Sequence, residues 1–114
     1  MESIQVQAVA KYIRQSPQKV RRVINVVRGM DAVEALQYLK LMPQRAANPV
    51  QKVIKSAVAN AEENYELHPD DLYIAIITAD EAPTRRWRRF GARGRFKPIK
   101  RRYSHIKVIL RERK

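Results

Sequence analysis

Residues 85–102, RRWRRFGARGRFKPIKRR, place ten Lys or Arg in 18 positions with no carboxylate among them. A segment of this kind cannot be folded into a protein's own core, because desolvating an unpaired cation costs far more than apolar burial returns. Its neighbours on either side are of another character. LYIAIITA (72–79) is β-branched and aromatic, and Ile106, Val108 and Leu110 alternate with His105, Lys107 and Arg111. Both read as strands. If those strands pair as neighbours, the basic segment between them is a hairpin that closes near Phe90-Gly91-Ala92-Arg93-Gly94, where two glycines supply the positive φ of a tight turn. At ~3.3 Å per residue, the seven or so residues from Thr84 to the turn reach about 20 Å beyond the sheet. A free two-stranded ribbon is marginal even without self-repulsion, so such an arm needs an anionic surrounding. The competing reading is a disordered basic tail that binds any polyanion.

Charge along the rest of the chain sharpens this. The 114 residues carry a formal +13. Residues 1–55 hold 10 basic and 3 acidic side chains, residues 56–83 hold 7 acidic and no basic ones, and residues 84–114 hold 14 basic and 1 acidic. The first 83 residues therefore cancel, and the whole excess lies in the last 31. Apolar residues at 45% are too many for a wholly disordered polycation, and the length suits one modest core. Cysteine is absent, which excludes disulfides, thiolate metal sites and a cysteine nucleophile, and fits a reducing compartment. No apolar run approaches the roughly 18–20 residues that span a bilayer, and MESIQVQAVAKYI is neither a signal nor a transit peptide.

The fold follows from periodicity. Ile4, Val6, Ala8, Ala10 and Tyr12 alternate with mostly polar residues, the pattern of a half-buried strand whose apolar face includes Tyr12. Ser16-Pro17 starts a helix whose apolar stripe is Val20, Val23, Ile24 and Val27, and Gly29 ends it. Asp31-Ala-Val-Glu34 has capping-box spacing for a second helix, carrying Ala32, Ala35, Leu36 and Leu39 and stopped by Pro43. Asn48-Pro49 predicts the cap of a third, preceded by a single turn and carrying Val50, Val53, Ile54, Ala57, Val58 and Ala61. His68-Pro69-Asp70-Asp71 is turn chemistry. LYIAIITA, apolar on both faces, reads as a central strand. The order β-ααα-β-β predicts an α+β fold: three helices on one face of a small three-stranded antiparallel sheet, with a long protruding basic β-hairpin. The expected layout is a single domain over 1–114, with a globular part from 1–82 plus 103–114 and an extended basic hairpin over 83–102.

Candidate nucleic-acid contacts come from charge and from arginine's planar fork, which suits phosphate oxygens and stacks on bases. In the hairpin they are Arg85, Arg86, Arg88, Arg89, Arg93, Arg95, Lys97, Lys100, Arg101 and Arg102. Trp87, Phe90, Phe96 and Tyr103 lie among the charges as candidates for base stacking. A second patch is expected on the first helix, where Lys19, Arg21, Arg22 and Arg28 lie off the apolar stripe with Lys11 and Arg14 upstream. The acidic stretch 56–83 reads as a solvated outer face. His68 and His105 lack metal-ligand spacing, Glu62-Glu63 and Asp70-Asp71 are adjacent pairs, and no phosphate loop or nucleophile–base constellation is present, so neither catalysis, metal nor cofactor is expected. From the residues alone, an RNA-binding protein and a DNA-binding architectural protein with a basic arm both stand.

AKYIRQSPQKVRRVINVVRGMDAVEAL, SAVANAEEN, DEAPTRRWRRFGARGR and KRRYSHIKVIL, in this order and spacing, resemble the L twenty-two family of large-subunit ribosomal proteins in its bacterial form. The resemblance covers nearly the whole chain. It departs from the family pattern at Gln18, Ala82, Phe90-Gly91 and Tyr103. It implies a non-enzymatic, cytoplasmic constituent of the ribosome that binds large-subunit ribosomal RNA and aids its assembly. It further implies that the hairpin over 83–102 is RNA-penetrating and reaches the wall of the nascent-peptide exit tunnel. The implied partners are that RNA, neighbouring ribosomal proteins and the nascent polypeptide, with no membrane and no homo-oligomer. By position, Arg14, Ser16, Lys19 and Arg21 match the family's N-terminal RNA-contact motif. Arg85, Arg86, Arg93, Gly94 and Arg95 match its hairpin, and Ser104 and His105 its return strand. The tip near the tunnel corresponds to Arg89, Phe90, Gly91, Ala92, Arg93 and Gly94.

Overall fold

Two alternating segments, one near each end of the chain, meet in one sheet. The computed structural model describes residues 4–82, 85–90, 96–101 and 103–113, with 85–90 and 96–101 described by their backbone pairing. The elements are β1 (Gln5–Ile13), α1 (Pro17–Val27), α2 (Ala32–Leu41), α3 (Ala47–Tyr65), a 3-10 turn (Pro69–Asp71), β2 (Leu72–Glu81), β3 (Arg85–Phe90), β4 (Phe96–Arg101) and β5 (Ser104–Glu112). One sheet has the order β1-β5-β2, antiparallel throughout, and β3 pairs with β4 in a second, two-stranded sheet. The three helices cover one face of the larger sheet, α1 against β2 and α3 against β1 and β5, with α2 resting on α3. This is the α+β arrangement expected.

The core is built largely from the predicted stripes, although Ile4 of the predicted first strand is exposed and Leu36 of the second helix only partly buried. Val20, Val23, Ile24 and Val27 of α1, Val50, Val53, Ile54, Ala57, Val58 and Ala61 of α3, and Ile106, Val108 and Leu110 of β5 are all buried. Gly29 ends α1 at φ +84°, a conformation that its lack of a Cβ permits. Its N–H turns to the sheet and donates to the Ile74 carbonyl at 3.1 Å. Pro43 lies just past the C-cap of α2 at Met42, as expected of a residue that cannot continue a helix.

Four expectations are corrected. LYIAIITA is an edge strand; the centre of the sheet is β5, which bonds to both neighbours. Its two apolar faces result from a bulge at Ala75: Leu72 and Ile74 before it and Ile77 and Ala79 after it point into the core, while Ile76 is 41% exposed. A second bulge sets Lys11 and Tyr12 opposite the single residue His105, with Tyr12 at φ +56°. The alternation inverts there, so Tyr12 is exposed and Ile13 packs against the core instead. Helix α3 starts at Ala47 with Ala46 as its cap, after a turn closed by Ala47 N–H to Gln44 and Asn48 N–H to Arg45 carbonyls. Pro49 then occupies the third helical position, where its missing N–H would have had no partner. Finally, Asp31 caps α2 by backbone position without a side-chain cap bond, because its carboxylate accepts from Arg113 Nε at 2.9 Å. The same guanidinium lies 4.5 Å over the Tyr73 ring, which latches the chain's last strand to the α1–α2 connection.

Edge strands expose carbonyls that invite pairing with other chains. Here α1 covers that edge with side chains: Arg28 Nη2 donates to Ile77 O and Arg21 Nε to Ala79 O, both at 3.0 Å. Replacing Arg28 with alanine uncovers one of these carbonyls. The expected loss is about 1 kcal/mol in chemical denaturation, read as a lower midpoint at unchanged slope.

Candidate nucleic-acid interface

The β3–β4 register runs from Arg85 opposite Arg101 through Arg86 and Lys100, Trp87 and Ile99, Arg88 and Pro98, and Arg89 and Lys97 to Phe90 opposite Phe96. Three of these six cross-strand pairs set cation against cation. Like charges directly opposite oppose pairing, and a two-stranded ribbon lacks the apolar face that could offset them. Pro98, which has no N–H to give a ladder, is tolerated because both strands are edges. The side chains of Arg85, Arg86, Trp87, Arg88, Arg89, Phe90, Phe96, Lys97, Lys100 and Arg101 lie outside the described part of the structure. So do residues Gly91, Ala92, Arg93, Gly94, Arg95 and Arg102, and with them the tip assignment. The radius of gyration is 17.3 Å and the principal extents are 65 × 27 × 19 Å, against about 13 Å for the radius of a compact chain of this length.

At the root of the ribbon the bulge in β1 builds an aromatic cluster. Tyr12 stands edge-on to His105 at 4.8 Å between centroids and to Tyr103 at 6.4 Å. Its backbone N–H donates to His105 Nδ1 at 3.1 Å, so the neutral imidazole carries its hydrogen on Nε2. Tyr103 and His105 are half-buried and Tyr12 is 52% exposed. Tyr12 is a candidate contact that sequence reasoning missed, since period-two alternation places it in the core. Ser104 is corrected in the other direction. It is fully buried and its hydroxyl donates to the Gln15 carbonyl, pinning β5 to the β1–α1 connection, so it has no surface to offer to RNA.

The second patch is present with its roles divided. Lys11, Arg14, Lys19 and Arg22 are exposed on or before α1. Arg21 and Arg28 are exposed as well, but each commits one donor of its fork to the β2 edge. Ser16 sits at the N-cap of α1, half-buried, with no side-chain cap bond. Arg45, in the turn before α3, is a further exposed cation that the sequence did not single out. The seven carboxylates of 56–83 are all exposed, five of them around the end of α3 and the following turn. Asp80 and Glu81 are in register with His105 and Ser104 at the ribbon's root. Among the described residues no three His, Asp or Glu come together as a metal site, and no helix is long and apolar enough to cross a membrane.

A family profile described as Ribosomal protein L22p/L17e matches residues 8–111. The large ribosomal subunit protein uL22 of Heliobacterium modesticaldum is 48% identical over 112 residues, 98% of this chain and 80% of that relative. Proteins of the same name from a Synechococcus strain and from Desulfitobacterium hafniense are 50% and 46% identical. Those matches cover 96% of this chain in both cases, and 89% and 96% of the relatives.

Proposed function

The chain belongs to the ribosomal protein L22p/L17e family, and on that premise we propose that it binds large-subunit ribosomal RNA through its basic ribbon and the outer face of α1. It is a protein of the large ribosomal subunit, at work in the cytoplasmic ribosome, and a structural component rather than an enzyme. In the proposed role the globular part fixes the angle at which the ribbon enters folded RNA, RNA phosphates neutralise the ribbon, and the subunit assembles around it. The ribbon's far end reaches the wall of the nascent-peptide exit tunnel, where Arg89 to Gly94 meet the growing polypeptide. Neighbouring ribosomal proteins take up the remaining surface.

The observation that carries this reading is the β3–β4 register, which sets Arg85, Arg86 and Arg89 opposite Arg101, Lys100 and Lys97. A ribbon of that composition is held together only by counter-charge close to both strands, and folded RNA supplies phosphates on every side. Recognition would be by RNA shape, splayed bases and stacking, because side chains do not read the narrow A-form major groove. With 6–10 phosphates neutralised, affinity is expected to fall roughly 10³–10⁵-fold between 50 and 200 mM salt. Cell fractionation followed by footprinting on large-subunit RNA tests the whole reading. The expected result is co-sedimentation with large subunits and a footprint in a few discrete RNA regions. A chain found free of ribosomes would overturn the reading, and one that binds any DNA duplex equally well would favour a DNA-binding architectural protein instead.

A further inference from the structure

A groove of about 380 Å³ runs between α1 and the turn that connects α2 to α3. Its size lies at the low end of small-molecule pockets, ~300–1,000 Å³. The floor is apolar, made by Val23, Val26 and Met42, and the rim carries Lys19, Arg22 and Arg45. No carboxylate is among its lining residues. Lys19, Arg22, Val23 and Val26 recur at the spacing of one helix face, so the cations and the apolar surface are presented side by side. Val26 is 37% exposed although it belongs to a helix that buries four other β-branched residues. Its position is explained by the groove and not by the core.

We propose that this groove receives a single unstacked ribonucleotide of the bound RNA, its base on Val26 and Met42 above the buried Val23 and its phosphate among Lys19, Arg22 and Arg45. The proposal rests on the RNA-binding reading and adds a subsite to it. Cations alone would suit any phosphate, but a phosphate has no use for an apolar floor. A flat ring flanked by an anionic phosphodiester matches both halves of the groove. The amides of Gln15 and Gln44 also line it, each with a donor and an acceptor for the edge of a base. The Gln15 backbone is held on both sides, its N–H by Ile13 O and its carbonyl by Ser104, which fixes that wall. The start of α3 adds a positive dipole end that no acidic residue of its first turn offsets. The N–H groups of Ala47 and Asn48 are already used in the preceding turn and Pro49 has none, so direct phosphate contacts fall to the side chains.

The full chain, isotope-labelled on its methyl groups, tests this by NMR. The probes are the four ribonucleoside 5′-monophosphates, with inorganic phosphate as control. A base lying on the floor moves the Val23, Val26 and Met42 methyls upfield by its ring current, saturably and in the millimolar range, and inorganic phosphate leaves them in place. Val26→Thr keeps shape and charge and is expected to weaken nucleotide binding several-fold while leaving phosphate binding unchanged. Methyls that respond alike to nucleotides and to phosphate, or a Val26→Thr variant as tight as the parent, would overturn the proposal. Binding of the same samples to large-subunit RNA separates the two readings. Retained RNA binding with an empty groove removes only this subsite, whereas nucleotide entry without RNA binding removes the larger proposal and leaves a nucleotide site.

Discussion

Simultaneous replacement of Arg86, Arg88 and Arg89 by alanine is expected to weaken binding to large-subunit RNA by about 10²–10³-fold while leaving the globular part folded. All three residues lie on β3, where Arg86 faces Lys100 and Arg89 faces Lys97 in the strand register. Each charge-assisted contact to a phosphate contributes about 1.5 kcal/mol at the low end of its range, and 1.4 kcal/mol is about tenfold in affinity. Three lost contacts reach the upper figure if they act independently, and the lower one if neighbouring cations compensate. The salt dependence carries a separate signature, because each phosphate left unneutralised lowers the slope of log affinity against log salt by about 0.7–0.9. Slope and affinity should therefore fall together. The free protein should not lose stability, since the substitutions remove like-charge repulsion across the ribbon. A parent-like affinity and slope would show that the ribbon is not the RNA-binding element. Loss of the fold would show that the ribbon and the globular part are one cooperative unit.

How far the sequence foretold the fold depends on whether the partner of each residue is local. The stripe on α1 and the alternation of β5 are read without reference to anything else, and all of their apolar members are buried. The bulges at Tyr12 and at Ala75 are different. Neither position is glycine, and each is imposed by the registry of a strand some 35 or more residues away, so period-two alternation is followed correctly up to Ala10 and Ile74 and then fails. The edge position of β2 was hidden for a related reason. Its two apolar faces imitate a central strand, and the arginines that cover its open carbonyls come from α1, 49 and 58 positions earlier. Asp31 carries the signature of a local cap and is taken by Arg113, 82 positions on.

The candidate site divides along the same line. Charge is additive, so the partition of +7, −7 and +13 along the chain needed no tertiary information to mark residues 85–102. Which hydroxyl or ring is accessible does need it. Ser104 is a candidate contact only through the family resemblance, yet it is buried, with its hydroxyl donating to the Gln15 carbonyl. Tyr12 reads as core, yet it stands exposed beside His105 and Tyr103. The groove under Val26 joins two elements that no sequence pattern links.

Leu110→Ala is expected to be among the most damaging single substitutions for the fold. Leu110 is fully buried on the central strand, in register with Val6 on one side and Ile74 on the other, and those two are buried as well. Removing its three outer carbons leaves a cavity in a fully buried row that ties both edge strands to the centre, a change that costs about 2–5 kcal/mol. Total stability of a domain this size is about 5–15 kcal/mol, so the variant sits close to the threshold of unfolding. At roughly 4 °C per kcal/mol for a chain of about 100 residues, the thermal midpoint should fall by about 8–20 °C. Ile76→Ala is the control on the same sheet: Ile76 is 41% exposed beyond the bulge and should change stability by about 0.5 kcal/mol or less. The difference between the two is a direct test of the bulge at Ala75, because an unbroken strand would place Ile76 in phase with Ile74 and bury it. Equal losses for Leu110→Ala and Ile76→Ala would mean that β2 runs without the bulge.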